Sequence, residues 1–223
     1  MEIRGIDLII NKWLAVKTMR KITCFICIFT LCLNVSAKAE DVGAKFTSFA
    51  GFELGTVTLT SVQAKLGPSK LVETGDAGDY TASICYAVPG GVIMFFAGEL
   101  DGPEHNLGGF GFAEETNRKP CSEWPMTLGV PNLAIGGLCL GLSISEFTLI
   151  VGAPVHIEGK KAYAFFEGKR TITKREIQRW PEEVQGMVKT GQQQNYFDVV
   201  VSVVATFSAG RLQELRIWKT ETT

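Results

Sequence analysis

The stretch GFELGTVTLTSVQAKLGP at residues 51–68 decides the fold, because the chain contains its pattern a second time. The stretch GLCLGLSISEFTLIVGAP at residues 137–154 has the same succession of a glycine, a small or apolar pair, Leu-Gly, a short helical segment and a Gly-Pro or Gly-Ala-Pro ending. A pattern that recurs within one chain indicates that one structural unit occurs twice. We therefore expect two similar units, at residues 40–130 and 131–223.

Each of the two stretches predicts a short helix with a defined start and stop. Thr58 is a candidate N-cap for Leu59–Leu66, and Ser143 begins a Ser-x-x-Glu capping box with Glu146. Apolar side chains recur at helical spacing in both segments, so one face of each helix should be buried. The glycine that follows each helix favours a left-handed C-cap.

Segments with the alternation of β-strands follow each helix. The six predicted strands span residues 80–88, 92–96 and 107–113 in the first unit, and residues 161–167, 197–207 and 212–218 in the second. Each unit is thus a helix followed by three antiparallel strands. Because one such unit buries little, the two should join edge to edge into one antiparallel sheet with both helices on one face. The expected fold class is α+β.

The N-terminal residues 1–39 have the pattern of a signal peptide. Met19 and two basic residues precede the apolar run at 22–33, and an Ala-x-Ala cleavage site precedes Glu40. The run is shorter than the ~20 residues of a membrane span, although an uncleaved anchor is the alternative. Charged residues upstream of Met19 are unusual in a signal peptide, so we expect translation to start at Met19. The mature protein is then expected to be periplasmic or secreted, without a stable membrane anchor.

Charge is unevenly distributed over the mature chain. Residues 40–130 contain 5 Lys or Arg and 12 Asp or Glu, whereas residues 131–223 contain 11 and 9. A protein that binds nucleic acid would instead carry a basic stripe, and we expect no nucleic-acid partner. The asymmetry permits docking to a charged protein, and an ordinary solvated surface is the alternative.

Three cysteines remain after residues 1–39 are removed: Cys85, Cys121 and Cys139. In an oxidising compartment two of them should pair. Cys139 occupies the position that Glu53 holds in the first copy of the pattern, so we prefer the pair Cys85–Cys121, with Cys121–Cys139 as the alternative. The preferred disulfide would tie the linker between the units to the first set of strands.

The second unit carries an insertion near residues 169–195. Thr173 is the predicted N-cap of a basic helix, and Pro181 breaks or restarts that helix. Long loops on a sheet often carry function, and a tryptophan beside arginines is typical of an interface anchor. The candidate partner-binding residues are therefore Lys174, Arg175, Arg179 and Trp180. The alternative is a helix that covers the sheet edge with Ile177 and Trp180.

The sequence contains no recognisable catalytic constellation. Its two histidines, His105 and His156, lie in different units, and a metal site would need both to converge with acids such as Glu104 or Glu158. The loop acids, which lack the ligand spacing of known calcium loops, are Asp76, Asp79, Glu99, Asp101 and Glu104. We expect no catalytic centre, cofactor or metal. A hydrolase of the cell envelope that uses these acids or histidines is the alternative.

The repeated positions are Gly51, Leu54, Gly55, Gly67 and Pro68 in the first copy, and Gly137, Leu140, Gly141, Gly152 and Pro154 in the second. In this arrangement of repeated positions, capped short helix and following strands, residues 51–218 resemble the tandem modules of the β-lactamase-inhibitory protein family and the single module of the small lipoprotein of outer-membrane assembly. The resemblance implies a helix-backed sheet whose open face grips another protein. The chain departs from both in its insertion, its three remaining cysteines and its missing lipid anchor, so the resemblance implies the fold but no binding residues. We expect an exported, non-catalytic protein-binding module of unknown target, inhibitor-like or envelope-associated.

Overall fold

In each half of the chain, a two-stranded hairpin is followed by an eight-residue helix and then by four antiparallel strands of one large sheet. The structure is a computed structural model and describes residues 43–114, 121–191 and 193–222; the predicted signal peptide lies outside these ranges. The strands are β1 (Ser48–Phe49), β2 (Phe52–Glu53), β3 (Val72–Thr74), β4 (Thr81–Val88), β5 (Gly91–Gly98), β6 (Gly109–Ala113), β7 (Ser122–Glu123), β8 (Ala134–Ile135), β9 (Leu138–Cys139), β10 (Val155–Glu158), β11 (Lys161–Thr171), β12 (Tyr196–Ser208) and β13 (Arg211–Thr222). The helices are α1 (Leu59–Leu66), α2 (Ile144–Val151), α3 (Lys174–Ile177) and α4 (Glu182–Lys189).

One large sheet joins the two halves of the chain. Its strand order is β10-β11-β12-β13-β6-β5-β4-β3, all antiparallel, and β7 adds a parallel pairing to β4. The halves meet where β13 pairs with β6, in a register that runs from Trp218 opposite Gly109 to Glu214 opposite Ala113. The predicted α+β fold with one continuous antiparallel sheet is confirmed.

Each half contributes one more antiparallel strand to the large sheet than the sequence predicts, and it also contains a small hairpin that the sequence does not predict. A small hairpin (β1–β2 or β8–β9) precedes the helix in each half, and four large-sheet strands follow it instead of three. The additional strands are β3 and β10, the two outer strands of the sheet, with three and four residues. Strands this short contain too few residues for an alternating pattern to be recognised.

Both main helices begin where the sequence predicts. The hydroxyl of Thr58 accepts a hydrogen bond from the backbone N–H of Ser61, and Ser143 forms the predicted capping box with Glu146. These bonds satisfy N–H groups that would otherwise have no partner in the first turn. Each cap is worth about 1 kcal/mol to its helix.

The two helix ends differ from each other. Gly152 after α2 has φ 69° and ψ 19°, which is the predicted left-handed C-cap. Gly67 after α1 also has a positive φ of 91°, but its ψ is 170°. The prediction of a left-handed cap is therefore wrong at Gly67. Pro68 explains the difference, because a proline pushes the residue before it toward an extended ψ.

One buried core lies between the two main helices and a single face of the sheet. Phe147 on α2 packs edge-on against Phe207 on β12, with ring centroids 5.7 Å apart. The buried side chains of this core include Leu59, Val62 and Leu66 of α1, Phe147 and Val151 of α2, and Phe95, Phe112, Val203 and Leu215 of the sheet. Burial of each large apolar side chain contributes about 1.5–3 kcal/mol. The core holds α1 and α2 on the same face, as expected.

The opposite face of the sheet, here called the open face, is covered locally by a disulfide. Cys85 on β4 is bonded to Cys121, which fixes the segment after β6 to the first half of the sheet. The preferred pairing is confirmed, and Cys139 is a free, half-buried thiol. A small second cluster of buried residues lies beside the disulfide: Val92, Met94, Phe96 and Ala113.

The strand β5 is buried on both of its faces. Its first seven residues are all buried, because α1 and the core lie on one side and the disulfide with Trp218 lies on the other. The first half of the sheet is thus the more enclosed half, and the open face of the second half is less covered.

No helix in the described part of the chain is long and apolar enough to cross a membrane.

Candidate functional site

A row of side chains crosses the open face through the junction of the two halves. The strand register places Phe165 opposite Ser202, Ser202 opposite Trp218, Trp218 opposite Gly109, and Gly109 opposite Phe96. Residues that face each other in antiparallel strands project from the same side of a sheet. Their sequence neighbours belong to the helix-side core, so this row projects on the open face.

A second row runs parallel to the first. It contains Tyr163, Val204, Arg216, Gly111 and Met94 in the same order of strands. The large side chains of both rows form what we call the open-face patch: Met94, Phe96, Tyr163, Phe165, Val204, Arg216 and Trp218. The patch spans five neighbouring strands, and residues from both halves of the chain contribute to it.

Two glycines of β6 give the patch its central stack. With no side chain at Gly109, the indole of Trp218 lies across this residue and stacks on Phe96, with ring centroids 5.1 Å apart and an interplanar angle of 23°. A Cβ atom at Gly109 would lie 2.8 Å from that indole. The guanidinium of Arg216 sits 5.3 Å from the centroid of the Phe96 ring. The close approach at Gly109 therefore brings the indole of Trp218 onto Phe96, and Arg216 lies beside the same ring.

The stack is ordered further by a neighbouring carboxylate. Arg216 Nε donates to Glu214 Oε1 at 2.6 Å, on the same strand. Arg216 itself is exposed, and Trp218 is half-buried. An arginine held by both a carboxylate and a ring loses little further freedom on binding, which favours its use in recognition.

The ring of Phe165 is the most exposed aromatic side chain in the patch. It is 55% exposed although it lies in the middle of β11. The small side chain of Ser202 lies between Phe165 and Trp218 in this row. An exposed aromatic ring beside a fixed tryptophan and arginine has the composition of an interface centre.

Two grooves flank the patch. A cleft of about 490 Å³ lies at the Trp218 end, and an apolar groove of about 210 Å³ lies between Met94, Phe96 and the disulfide. The cleft is bordered by the loops of the first half, by the last residues of β13 and by the insertion, and its lining includes Tyr80, Glu99, Asp101, Asn106, Arg179, Lys219 and Glu221. The patch thus continues into a polar cleft on one side and an apolar groove on the other.

The structure places Lys174 and Arg175 on α3, and Arg179 and Trp180 in the turn between α3 and α4. Thr173 forms a capping box with Glu176 at the start of α3, as predicted, and the exposed side chains are Lys174, Arg175 and Arg179. Trp180 is half-buried and meets Phe197 of β12 edge-on, with ring centroids 6.2 Å apart. Arg179 lines the 490 Å³ cleft together with Trp218. Trp180 therefore has a packing contact, and Arg179 is the insertion residue at the edge of the patch.

An ion-pair network attaches the insertion to the sheet. Arg170 on β11 donates to both oxygens of Glu176, at 2.9 and 3.1 Å, and to Glu221 on β13 at 2.5 Å. Hydrogen bonds from Arg170, and from Thr173, hold the pKa of Glu176 down to about 2. Burial pushes the pKa of Glu221 upward, but bonds from Arg170 and Lys219 outweigh burial, so this pKa is also lowered.

We predict that this network makes stability depend on pH. A carboxylate whose pKa falls on folding stabilises the protein above its unfolded pKa, and this contribution is lost as the pH falls toward the folded value. Glutamine at position 176 keeps the capping box but removes the charge. The difference in unfolding free energy between wild type and Glu176→Gln should therefore shrink between about pH 4.5 and about pH 2. Urea denaturation at several pH values measures this difference, and a constant difference would contradict the assignment.

The two histidines considered for catalysis and metal binding lie in separate parts of the structure. His105 lies in a loop beside Tyr80, whereas His156 is exposed on β10, at the outer edge of the other half. Three of the loop acids accept backbone hydrogen bonds: Asp79 from Asp76, Glu99 from Gly78, and Asp101 from Gly98. Within the described residues, no group of three His, Cys, Asp or Glu side chains is placed to hold a metal ion.

The comparisons with known proteins give one distant structural likeness. No family model matches the chain, and no curated protein matches it significantly. A solved structure from Streptococcus mutans, described provisionally as a β-lactamase inhibitor protein, is similar to 83% of this chain and 98% of its own, with 12% sequence identity and a TM-score of 0.24. A TM-score this low does not bear on the function of the chain.

Proposed function

We propose that this protein is an exported, non-catalytic binding module that holds a protein partner on the open-face patch. The observation that carries the proposal is the stack of Phe96, Trp218 and Arg216 beside the exposed ring of Phe165. Tryptophan, tyrosine and arginine side chains supply much of the binding energy of protein interfaces, most of all at their centres. Side chains that are ordered before binding lose less entropy when the partner arrives.

Export is part of the same proposal. It is supported by the signal-peptide pattern of residues 1–39 and by the disulfide between Cys85 and Cys121. Disulfides persist in the periplasm and outside the cell, and they are rare in the cytosol.

The shape of the patch favours a partner with a protruding apolar side chain. Between Phe165 and Trp218 the row contains only the small side chain of Ser202, so an apolar side chain of the partner can lie between the two rings, and the cleft at Trp218 can receive the polar residues around it. An inhibitor-like module would bind a loop of its target on this surface, and an envelope-associated module would bind a permanent partner there. Both uses need the same contact surface.

The insertion is the second candidate for the contact surface. Lys174, Arg175 and Arg179 are exposed on or just after α3, and no acidic side chain is paired with them among the contacts of the described residues. Solvated cations of this kind can attract an acidic partner and accelerate its association. Arg179 borders the cleft at Trp218, so a partner on the patch can reach it.

Affinity capture with matched variants tests the proposal. The purified protein serves as bait for envelope and secreted proteins of its source cell, beside Phe165→Ser and a Lys174→Glu, Arg175→Glu, Arg179→Glu triple variant. We expect a saturable partner whose affinity falls about 30-fold in Phe165→Ser, the equivalent of ~2 kcal/mol for an interface centre. The triple variant should retain the partner and change mainly its association rate.

The same experiment separates the two surfaces. Thermal unfolding of each variant confirms that the fold is intact. Loss of the partner in the triple variant alone would move the contact to the insertion. Capture of no saturable partner by the wild-type protein would overturn the binding-module proposal.

A further inference from the structure

Three polar side chains from separate segments converge beside the cleft at Trp218, and none of them belongs to the open-face patch. Glu73 comes from β3, Tyr80 from the residue before β4, and His105 from the loop that leads to β6. The hydroxyl of Tyr80 is hydrogen-bonded to a carboxylate oxygen of Glu73 and lies 2.9 Å from Nε2 of His105. The distance from His105 Nε2 to Glu73 Oε1 is 3.8 Å. We call these residues the Glu73–Tyr80–His105 cluster.

The histidine of this cluster is held by the surrounding backbone. The backbone N–H of His105 donates to the carbonyl of Gly102, and the backbone carbonyl of His105 accepts from the N–H of Leu59 at the start of α1. The imidazole stacks on the Tyr80 ring with centroids 6.1 Å apart. His105 has φ 52°, a left-handed conformation that is uncommon outside glycine and is maintained here by these contacts.

We propose that the Glu73–Tyr80–His105 cluster binds a divalent transition-metal ion of the zinc class. An imidazole nitrogen with two oxygen ligands is a donor set that such ions accept. A tetrahedral zinc ion with bonds of about 2.0–2.1 Å keeps its ligand atoms about 3.3 Å apart. The separations of 2.9 and 3.8 Å from His105 Nε2 to the two oxygens lie on either side of this value, whereas the hydrogen-bonded oxygens of Tyr80 and Glu73 lie closer together and must move apart when a metal ion replaces the proton between them.

The exposure and the charge of the cluster suit a cation that arrives from solvent. The side chains of His105 and Glu73 are 25% and 55% exposed, which leaves a fourth coordination position open to water. The two segments around the cluster, residues 73–80 and 98–106, contain six acidic residues and no lysine or arginine. Their negative potential attracts cations to the site.

Metal binding exchanges one proton for the metal ion. The Tyr80 hydroxyl proton that now bridges to Glu73 leaves to the buffer, and the phenolate and carboxylate oxygens and the His105 nitrogen bind the metal. This exchange gives two readouts besides affinity: release of one proton for each ion bound, and the ultraviolet difference spectrum of a tyrosinate.

Calorimetric titration of the purified protein with Zn²⁺ tests the proposal. We expect one ion per chain, with an affinity that falls at least about tenfold in His105→Gln, since even changes behind the ligands cost roughly 10–100-fold. The matched control is His156→Gln, which changes the other histidine of the chain and should bind as the wild type does. Tyr80→Phe should abolish the tyrosinate signal and the proton release.

Other outcomes would overturn the proposal. Equal Zn²⁺ affinity in wild type and His105→Gln would assign the binding to the loop acids alone, as would equal binding of Ca²⁺ and Zn²⁺. Loss of binding in His156→Gln would place the ion on the other half of the chain. Absence of Zn²⁺ binding by the wild-type protein would show that the cluster is only a hydrogen-bonded network.

Discussion

Replacement of Gly111 with alanine is expected to destabilise the protein by about 3 kcal/mol, at the upper end of the usual cost of overpacking. A Cβ atom at this position would lie 2.1 Å from the carbonyl oxygen of Leu215 and 3.1 Å from Cα of Arg216. Both neighbours are backbone atoms of β13, so no side-chain rotation relieves the contact. The pairing of β6 with β13, which joins the two halves, must shift instead.

The matched control for this change is Gly168→Ala. Gly168 lies on β11 with an ordinary φ, and a Cβ atom there would meet nothing within 4 Å. Alanine at this position should leave stability unchanged or raise it slightly, because it lowers the entropy of the unfolded chain. Chemical denaturation compares the two variants. Equal stability of Gly111→Ala and Gly168→Ala would contradict the close approach at the junction.

The double variant Cys85→Ser, Cys121→Ser should lose about 4 kcal/mol of stability. The disulfide closes a loop with a sequence separation of 36 residues, and the entropy of such a loop in the unfolded chain corresponds to about this value. The segment after β6 would also be released from Met94 and Phe96, so part of the open face would become exposed.

The control for the disulfide prediction is Cys139→Ser. Cys139 is half-buried and free, so this change should cost little and should remove the one free thiol among the described residues. Urea denaturation and thiol titration under non-reducing conditions give both quantities. A stability loss in Cys139→Ser as large as that of the double variant would contradict the pairing of Cys85 with Cys121.

The parts of the fold that depend on local sequence were predictable. The caps at Thr58, Ser143 and Thr173 were predicted because a capping side chain bonds to a backbone group three residues away. The edge-to-edge sheet followed from the repeated pattern, since two units that each bury little must share a core. The preferred disulfide followed from comparison of the two copies of the pattern.

Parts that depend on tertiary contacts were not predictable in the same way. The sequence predicts that the last strand ends at Trp218, whereas β13 continues to Thr222. Its last four residues are polar, and they form a strand because they pair with β12 and because Glu221 meets Arg170. No periodic apolar pattern marks such a segment.

The candidate site shows the same limit. The sequence directed attention to the insertion, because a tryptophan beside arginines is visible in a linear pattern. The stack of Phe96, Trp218 and Arg216 joins residues more than a hundred positions apart, and it exists only through the register of β5, β6 and β13. The available signal was the alternation of Gly109 and Gly111, which indicates a strand that another side chain crosses.

Site-specific photocrosslinking tests the central claim most directly. A photoreactive phenylalanine analogue replaces either Phe165 on the open face or Leu149 on α2, two apolar side chains that are 55% and 82% exposed. Illumination in the producing cell then captures whatever lies against each position. We predict a discrete protein adduct from position 165 and none from position 149. An adduct from position 149 alone, or none from either position, would contradict a partner-binding open face.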